Sequence, residues 1–188
     1  MKRSELEHIN RAARAIADDR EIVVIGSQSI LGQLPDAPAT LRVSMEADVY
    51  PLQHPDRSDL IEGSIGEGSP FHEQFGYYAQ GVSERTAVLP DGWRTRLVRI
   101  ENANTRGIVG WCLDVHDLAV SKYVAGRPKD LELNRELARH RITRNATLLS
   151  RLAETRLPPA LGTLVKGRIE RDFSAPRLTG TPRTSRRR

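Results

Sequence analysis

Two acids one residue apart open the chemistry of this chain. Glu46 and Asp48 stand in the run VSMEADVYP, Val43 to Pro51. In a strand alternate side chains share a face, so the two carboxylates point one way while Met45, Ala47 and Val49 point the other. Paired carboxylates on one face can hold a divalent cation such as Mg2+ or Mn2+, and such a cation neutralises phosphate charge in phosphoryl and nucleotidyl transfer. Upstream, the apolar run Ile22 to Ile25 ends in Gly26 and Ser27, where a residue without Cβ and a hydroxyl suit a turn that approaches a phosphate closely. The alternative for the acid pair is the wet face of a half-buried strand, which shows the same alternation.

An apolar strand, Gly-Ser, then an acid-x-acid pair on the next strand resembles the motif of the polymerase-beta-like nucleotidyltransferases, with Gly26, Ser27, Glu46 and Asp48 as the matching residues. The gap between Ser27 and Glu46 is longer than that motif usually has, and the first acid is Glu where Asp is usual. Farther on, DLAVSKYVAGRPKDLEL, Asp117 to Leu133, reads as one helix with Leu118, Val124, Ala125 and Leu131 available for a core. At about 100° per residue, Lys122, Lys129 and Asp130 fall on nearly the same side. The wording Lys-x-x-Ala-Gly-Arg-x-Lys-Asp resembles the corresponding segment of the AbiEii and MenT-type toxin nucleotidyltransferases. That resemblance implies a nucleotide pocket lined by Lys122, Arg127 and Asp130, with Lys129 as an added cation of open equivalence. An exposed helix with local ion pairs is the other reading of this segment. Many polymerase-beta-like enzymes carry a third acid on a later strand; Asp114 stands at a suitable strand end and equally suits a turn.

These residues need elements to carry them, and 188 residues suffice for one domain with a substantial core or a domain with a short appendage. The pattern implies an α+β nucleotidyltransferase fold, a mixed or antiparallel sheet flanked by helices with a C-terminal helical extension. The divisions are a catalytic domain over 1–133, an extension over 134–174 and a disordered basic tail over 175–188. Glu5 to Ala17 carries a helical apolar stripe, with Ser4 as a possible N-cap. Ser29 to Gln33 reads as a short helix halted by Pro35, LPDAPAT as loop, and Asp56 to Ile61 as a helix start. Gly63, Gly66 and Gly68 mark a mobile connection.

TAVLP reads as strand-like, Pro90-Asp91-Gly92 as a turn, and WRTRLVRIEN as part of a hairpin in which Arg94 and Arg96 share a face, wet or turned toward substrate. GIVGWCLDV is a buried strand entering the Lys122 helix, with Asp117 as N-cap. Helices are expected over 135–141, 143–155 and 160–171.

Single Cys112 excludes an intramolecular disulfide framework and suits a buried, inert thiol in a reducing cytosol. His54, His72 and His116 match no zinc-ligand spacing. Phe71, Phe75, Tyr77 and Tyr78 cluster closely enough to stack on a base or to pack under the glycine-rich loop. No apolar run approaches the length of a membrane span, and the N-terminus is amphipathic and acid-containing, so a soluble cytoplasmic protein without a membrane partner is expected. Residues 134–188 hold 14 Lys and Arg against 4 Asp and Glu, a local net of +10 that leaves −5 for the remainder. A basic end on an acidic body suits a polyanion, with RNA the natural candidate, or a solvated basic helix pair.

The expected function is nucleotidyl transfer from an NTP, with Mg2+ or Mn2+ as cofactor. The toxin resemblance implies a tRNA 3′ end as acceptor and a cognate antitoxin as partner. Transfer to a protein or small molecule, and a silent binding module, are the alternatives.

Overall fold

The computed structural model describes residues 1–174; the basic tail expected over 175–188 lies outside the described residues. A five-stranded mixed sheet is flanked by helices, the α+β arrangement expected. Helix α1, Arg3–Ala17, buries Leu6, Ile9, Ala13 and Ala17 completely. Each Leu or Ile so placed contributes about 1.5–3 kcal/mol of transfer free energy. The helix starts two residues earlier than the Ser4 cap implied. Lys2 occupies the N-cap position, and Glu5 turns back to accept its backbone N–H at 2.6 Å.

Strand β1, Glu21–Val24, lies at the centre, antiparallel to β2, Glu46–Pro51, and parallel to β5, Val109–Cys112. Strand β3, Tyr78–Gly81, runs parallel beside β2 with Glu46 paired to Tyr78 and Asp48 to Gln80; β4, Val98–Ile100, closes the other edge antiparallel to β5. Ile22, Val23 and Val24 of β1 are fully buried, so this strand supplies core rather than chemistry. Between β2 and β3 a 3-10 turn at Pro55–Arg57 leads into α2, Ser58–Ile65, and then α3, Pro70–Phe75. The stretch read as a mobile glycine connection therefore contains two helices, α3 being capped by Ser69, whose hydroxyl accepts the N–H of His72 at 3.2 Å.

Four further expectations are corrected. TAVLP is not a strand: its first residue, Thr86, ends a 3-10 turn at Glu84–Thr86, and the segment has no strand partner. Trp93–Arg96 is likewise a 3-10 turn, so Arg94 and Arg96 do not alternate along a hairpin; Arg94 pairs with Glu84, and Arg96 with Asp117 at 2.8 Å. The single helix over 117–133 is two, α4 (Val115–Ala125) and α5 (Pro128–Arg139), divided at Gly126, whose φ of 67° ends α4 while Pro128 starts α5. The cap of α4 is Asp114, accepting the N–H of His116 at 2.9 Å, and not Asp117. Helices α6, Asn145–Ala153, and α7, Pro159–Ser174, complete the described residues, α7 reaching α4 through Tyr123 Oη to Asp172 at 2.8 Å.

Asp117 has a different task. Its side chain is 0% exposed and sits between Arg96 at 2.8 Å and Arg151 at 3.2 Å, tying the β3–β4 connection and α6 to α4. Burial lifts its carboxyl above the ordinary value, and the two guanidiniums oppose that shift. Asp117→Ala strands two guanidiniums that keep partial solvent contact, so the expected loss is about 3 kcal/mol, the low end of what breaking a buried pair costs. Urea unfolding of the variant measures it; an unchanged midpoint would show the bridge to be idle.

Candidate active site

Backbone pairing places the two motifs against each other. The N–H of Ile25 donates to the carbonyl of Asp48 at 3.0 Å, extending the β1–β2 ladder, so the turn that follows meets the acid strand. A Cβ at Gly26 would lie 1.6 Å from Asp48 Oδ2 and 2.6 Å from its Cγ. Only glycine lets this carboxylate occupy its position. Gly26 then opens a 3-10 turn, Ser27–Gly32, whose far end is fixed by Gln33 Oε1 accepting the N–H of Val115 at 2.6 Å. The proposed phosphate seat is thereby tied to the start of α4, which carries Lys122.

Glu46, Asp48, Gly26, Ser27, Lys122, Arg127, Lys129 and Asp130 all line one cavity of about 990 Å³. The two acids share a wall as their alternation predicts, and both are half-buried. Burial, followed by the hydrogen bond and charge of Glu46, pushes the Asp48 carboxyl up to about 6, with Lys122 and Lys129 opposing. Glu46 is steadied from β3 by the Tyr78 hydroxyl, which donates to Glu46 Oε2 at 3.3 Å.

Asp130 is 2% exposed and holds two of the cavity's cations, Arg127 Nε at 2.6 Å and Lys122 Nζ at 3.4 Å. Burial alone would raise its carboxyl, but Arg127 and Lys122 outweigh that and hold it below the usual carboxylate range. The break at Gly126 makes this clamp possible, because the chain reverses there and brings the first turn of α5 back onto the last turn of α4.

Other sequence candidates go elsewhere. Asp114 caps α4 and is not among the cavity's lining residues. His116 Nε2 accepts the N–H of Arg144 at 3.2 Å and His72 Nδ1 that of Gly68 at 3.0 Å; among the described residues no three His, Cys, Asp or Glu side chains are grouped to hold a metal. Phe71, Phe75 and Tyr77 gather around His8 of α1, with ring centroids 4.7–6.0 Å from it, and do not face the cavity. Cys112 is buried, and burial pushes its thiol up to about 12. The cavity also takes in Gln28, Val43, Val88 and Arg139, which carry no motif. Gln28 alone had a signal, its place directly after Gly-Ser.

The donor set fits Mg2+ or Mn2+. Two carboxylates whose mutual charge is unfavourable face a cavity, and Mg2+ is usually held by one or two carboxylates, with water and phosphate oxygens filling the other positions.

A glycine turn pressed on an acid pair, facing cations across a cavity on a mixed α+β sheet, is a nucleotidyltransferase-like arrangement. A family described as nucleotidyltransferase of unknown function (DUF6036) matches residues 4–145, most of the chain, and the chain belongs to it. No curated protein and no solved structure matches the chain. Among the described residues no helix is long and apolar enough to cross a membrane.

Proposed function

We propose that this protein is a divalent-metal-dependent nucleotidyltransferase that moves a nucleoside monophosphate from an NTP to an RNA end. The observation that carries the reading is the convergence of Glu46 and Asp48 with the Lys122–Asp130–Arg127 clamp in one cavity. Glu46 and Asp48 are the residues to hold Mg2+ or Mn2+, which would supply charge neutralisation at the phosphates. Gly26 and Ser27 seat phosphate oxygens, while Lys122 and Arg127 offset the charge of the triphosphate, both kept in place by Asp130. An acceptor hydroxyl oxygen bonds to the α-phosphorus, the bond from that phosphorus to the bridging oxygen breaks, and pyrophosphate leaves. The hydroxyl proton passes to the carboxylate pair.

The acceptor part of the reading rests on charge and resemblance. Residues 134–174, taken as a helical extension, and the basic tail beyond them suit a polyanion without base-specific readout. Resemblance of the Lys122 segment to the AbiEii and MenT-type toxins supports a tRNA 3′ end as acceptor, a toxin role, a cognate antitoxin and a cytoplasmic setting. A silent binding module is favoured by one observation, that Asp114 caps a helix instead of joining the acid pair.

Label transfer tests the reading: protein, Mg2+ and each NTP labelled at the α-phosphate, with total tRNA or total cell protein as acceptor. Label on tRNA, lost in Asp48→Asn, is the expected result. Label on protein would replace the RNA acceptor, and no label with any NTP would leave the silent module standing.

A further inference from the structure

Apolar side chains exposed to water are ordinary when scattered, and informative when gathered at one opening. Val43 is 78% exposed, Met45 54% and Val88 44%, and they make up half of the large apolar residues so exposed among the described residues. Val43 and Val88 line the candidate active-site cavity, and Met45 lies two residues from Val43 and one from Glu46. They come from separate segments, one leading into β2 and the other following β3. Neither segment is a strand there, so no rule of alternation places these side chains outward. The cations of the same cavity come from α4 and α5. One cavity thus joins a charged wall to an aliphatic rim.

A nucleotide has the same division, an anionic phosphate chain joined through a sugar to a flat ring with apolar faces. Many proteins hold that ring on an aromatic side chain. Among the described residues no aromatic side chain lines this cavity. We propose that Val43 and Val88 form the nucleobase subsite of the donor NTP, gripping the ring by aliphatic contact. This rests on the nucleotidyltransferase reading and assigns it a second binding surface. Contact of this kind removes apolar ring surface from water and does not depend on hydrogen-bonding edges, so purine and pyrimidine nucleotides should both use it, purines gaining more through larger area.

Isothermal titration in Mg2+ with ATP, GTP, CTP, UTP and inorganic tripolyphosphate tests the assignment, using the wild type and V43A/V88A. Both residues are exposed, so the double variant should keep its melting temperature. The expected result is NTP affinity about tenfold weaker, each substitution giving several-fold, with tripolyphosphate affinity unchanged. Equal weakening for tripolyphosphate would mean that the valines support the phosphate seat, and would overturn the proposal. So would unchanged NTP affinity, including the case in which only the KM for the acceptor rises. Wild-type protein that binds neither NTP nor tripolyphosphate would refute the nucleotidyltransferase reading itself and take the subsite with it.

Discussion

Asp48→Asn is expected to abolish nucleotidyl transfer while making the metal-free protein more stable. Loss of one ligand from a two-carboxylate site removes several kcal/mol of charge neutralisation at the phosphates, about a thousandfold or more in rate. The stability effect has the opposite sign because the Asp48 carboxyl is raised from 3.8 to about 6, first by burial and then by Glu46. Below about pH 4 the group is protonated whether the chain is folded or not, and it takes nothing from stability. Between those values the folded state keeps a proton that the unfolded state has lost, so stability falls as pH rises. Above about 6 the whole penalty is present, roughly 3 kcal/mol by linkage. Asparagine carries no charge and escapes it. In EDTA the variant should therefore melt higher than wild type at about pH 7.5, and the gap should close toward about pH 4. Mg2+ should raise the melting temperature of wild type and leave the variant nearly unmoved. A variant that melts lower than wild type at neutral pH without metal would show that Asp48 is a structural anchor and not a strained ligand.

Much of this site was legible because its parts are local in sequence. Gly26 and Ser27 follow an apolar run, Glu46 and Asp48 obey a period of two, and Lys122, Arg127 and Asp130 fall within nine consecutive residues. Each of those patterns follows from backbone geometry alone. The break in the 117–133 helix was hidden because periodicity continues through it: a proline at the first helical position fits a new helix as well as a glycine fits the end of the old one. Reading one helix set Lys122 and Asp130 on a common side by angle, whereas the actual contact comes from the fold-back at Gly126.

TAVLP had the composition of a strand but no neighbour to bond with, and a strand is defined by its partner; Ala87 and Val88 line the cavity instead. Helix α3 was masked by the glycines before it, although Ser69 followed by Pro70 is a start signal. Asp114 took the cap expected of Asp117 for a similar reason. Either acid can cap a helix by accepting an N–H two residues on, and only the ion pairs made by distant Arg96 and Arg151 decide which one is buried inside it.

Gly26→Ala is expected to disable the site through Asp48 alone. The backbone at Gly26 is extended, with φ −83° and ψ −171°, a conformation that alanine adopts freely, so no backbone strain enters. The added methyl meets Asp48 Oδ2 at 1.6 Å, Cγ at 2.6 Å and Cβ at 2.9 Å. The strands cannot simply part, because the Ile25–Asp48 hydrogen bond and the β1–β2 ladder hold the two backbones together. The carboxylate must swing aside, and what the pair offers a metal goes with it. We expect transfer to fall at least a hundredfold, since removal of one well-placed charge-stabilising group costs about that much. The stabilisation by Mg2+ should disappear, with an overpacking cost of about 1–3 kcal/mol. A double-mutant cycle separates this from general damage. In an Asp48→Ala background Oδ2 and Cγ are gone and only the Cβ contact at 2.9 Å remains, so Gly26→Ala should cost clearly less than in the wild type, giving a coupling of about 1 kcal/mol or more by denaturant unfolding. Additive effects would mean that the methyl is felt elsewhere in the turn, and that glycine is required at position 26 by something other than the acid it faces.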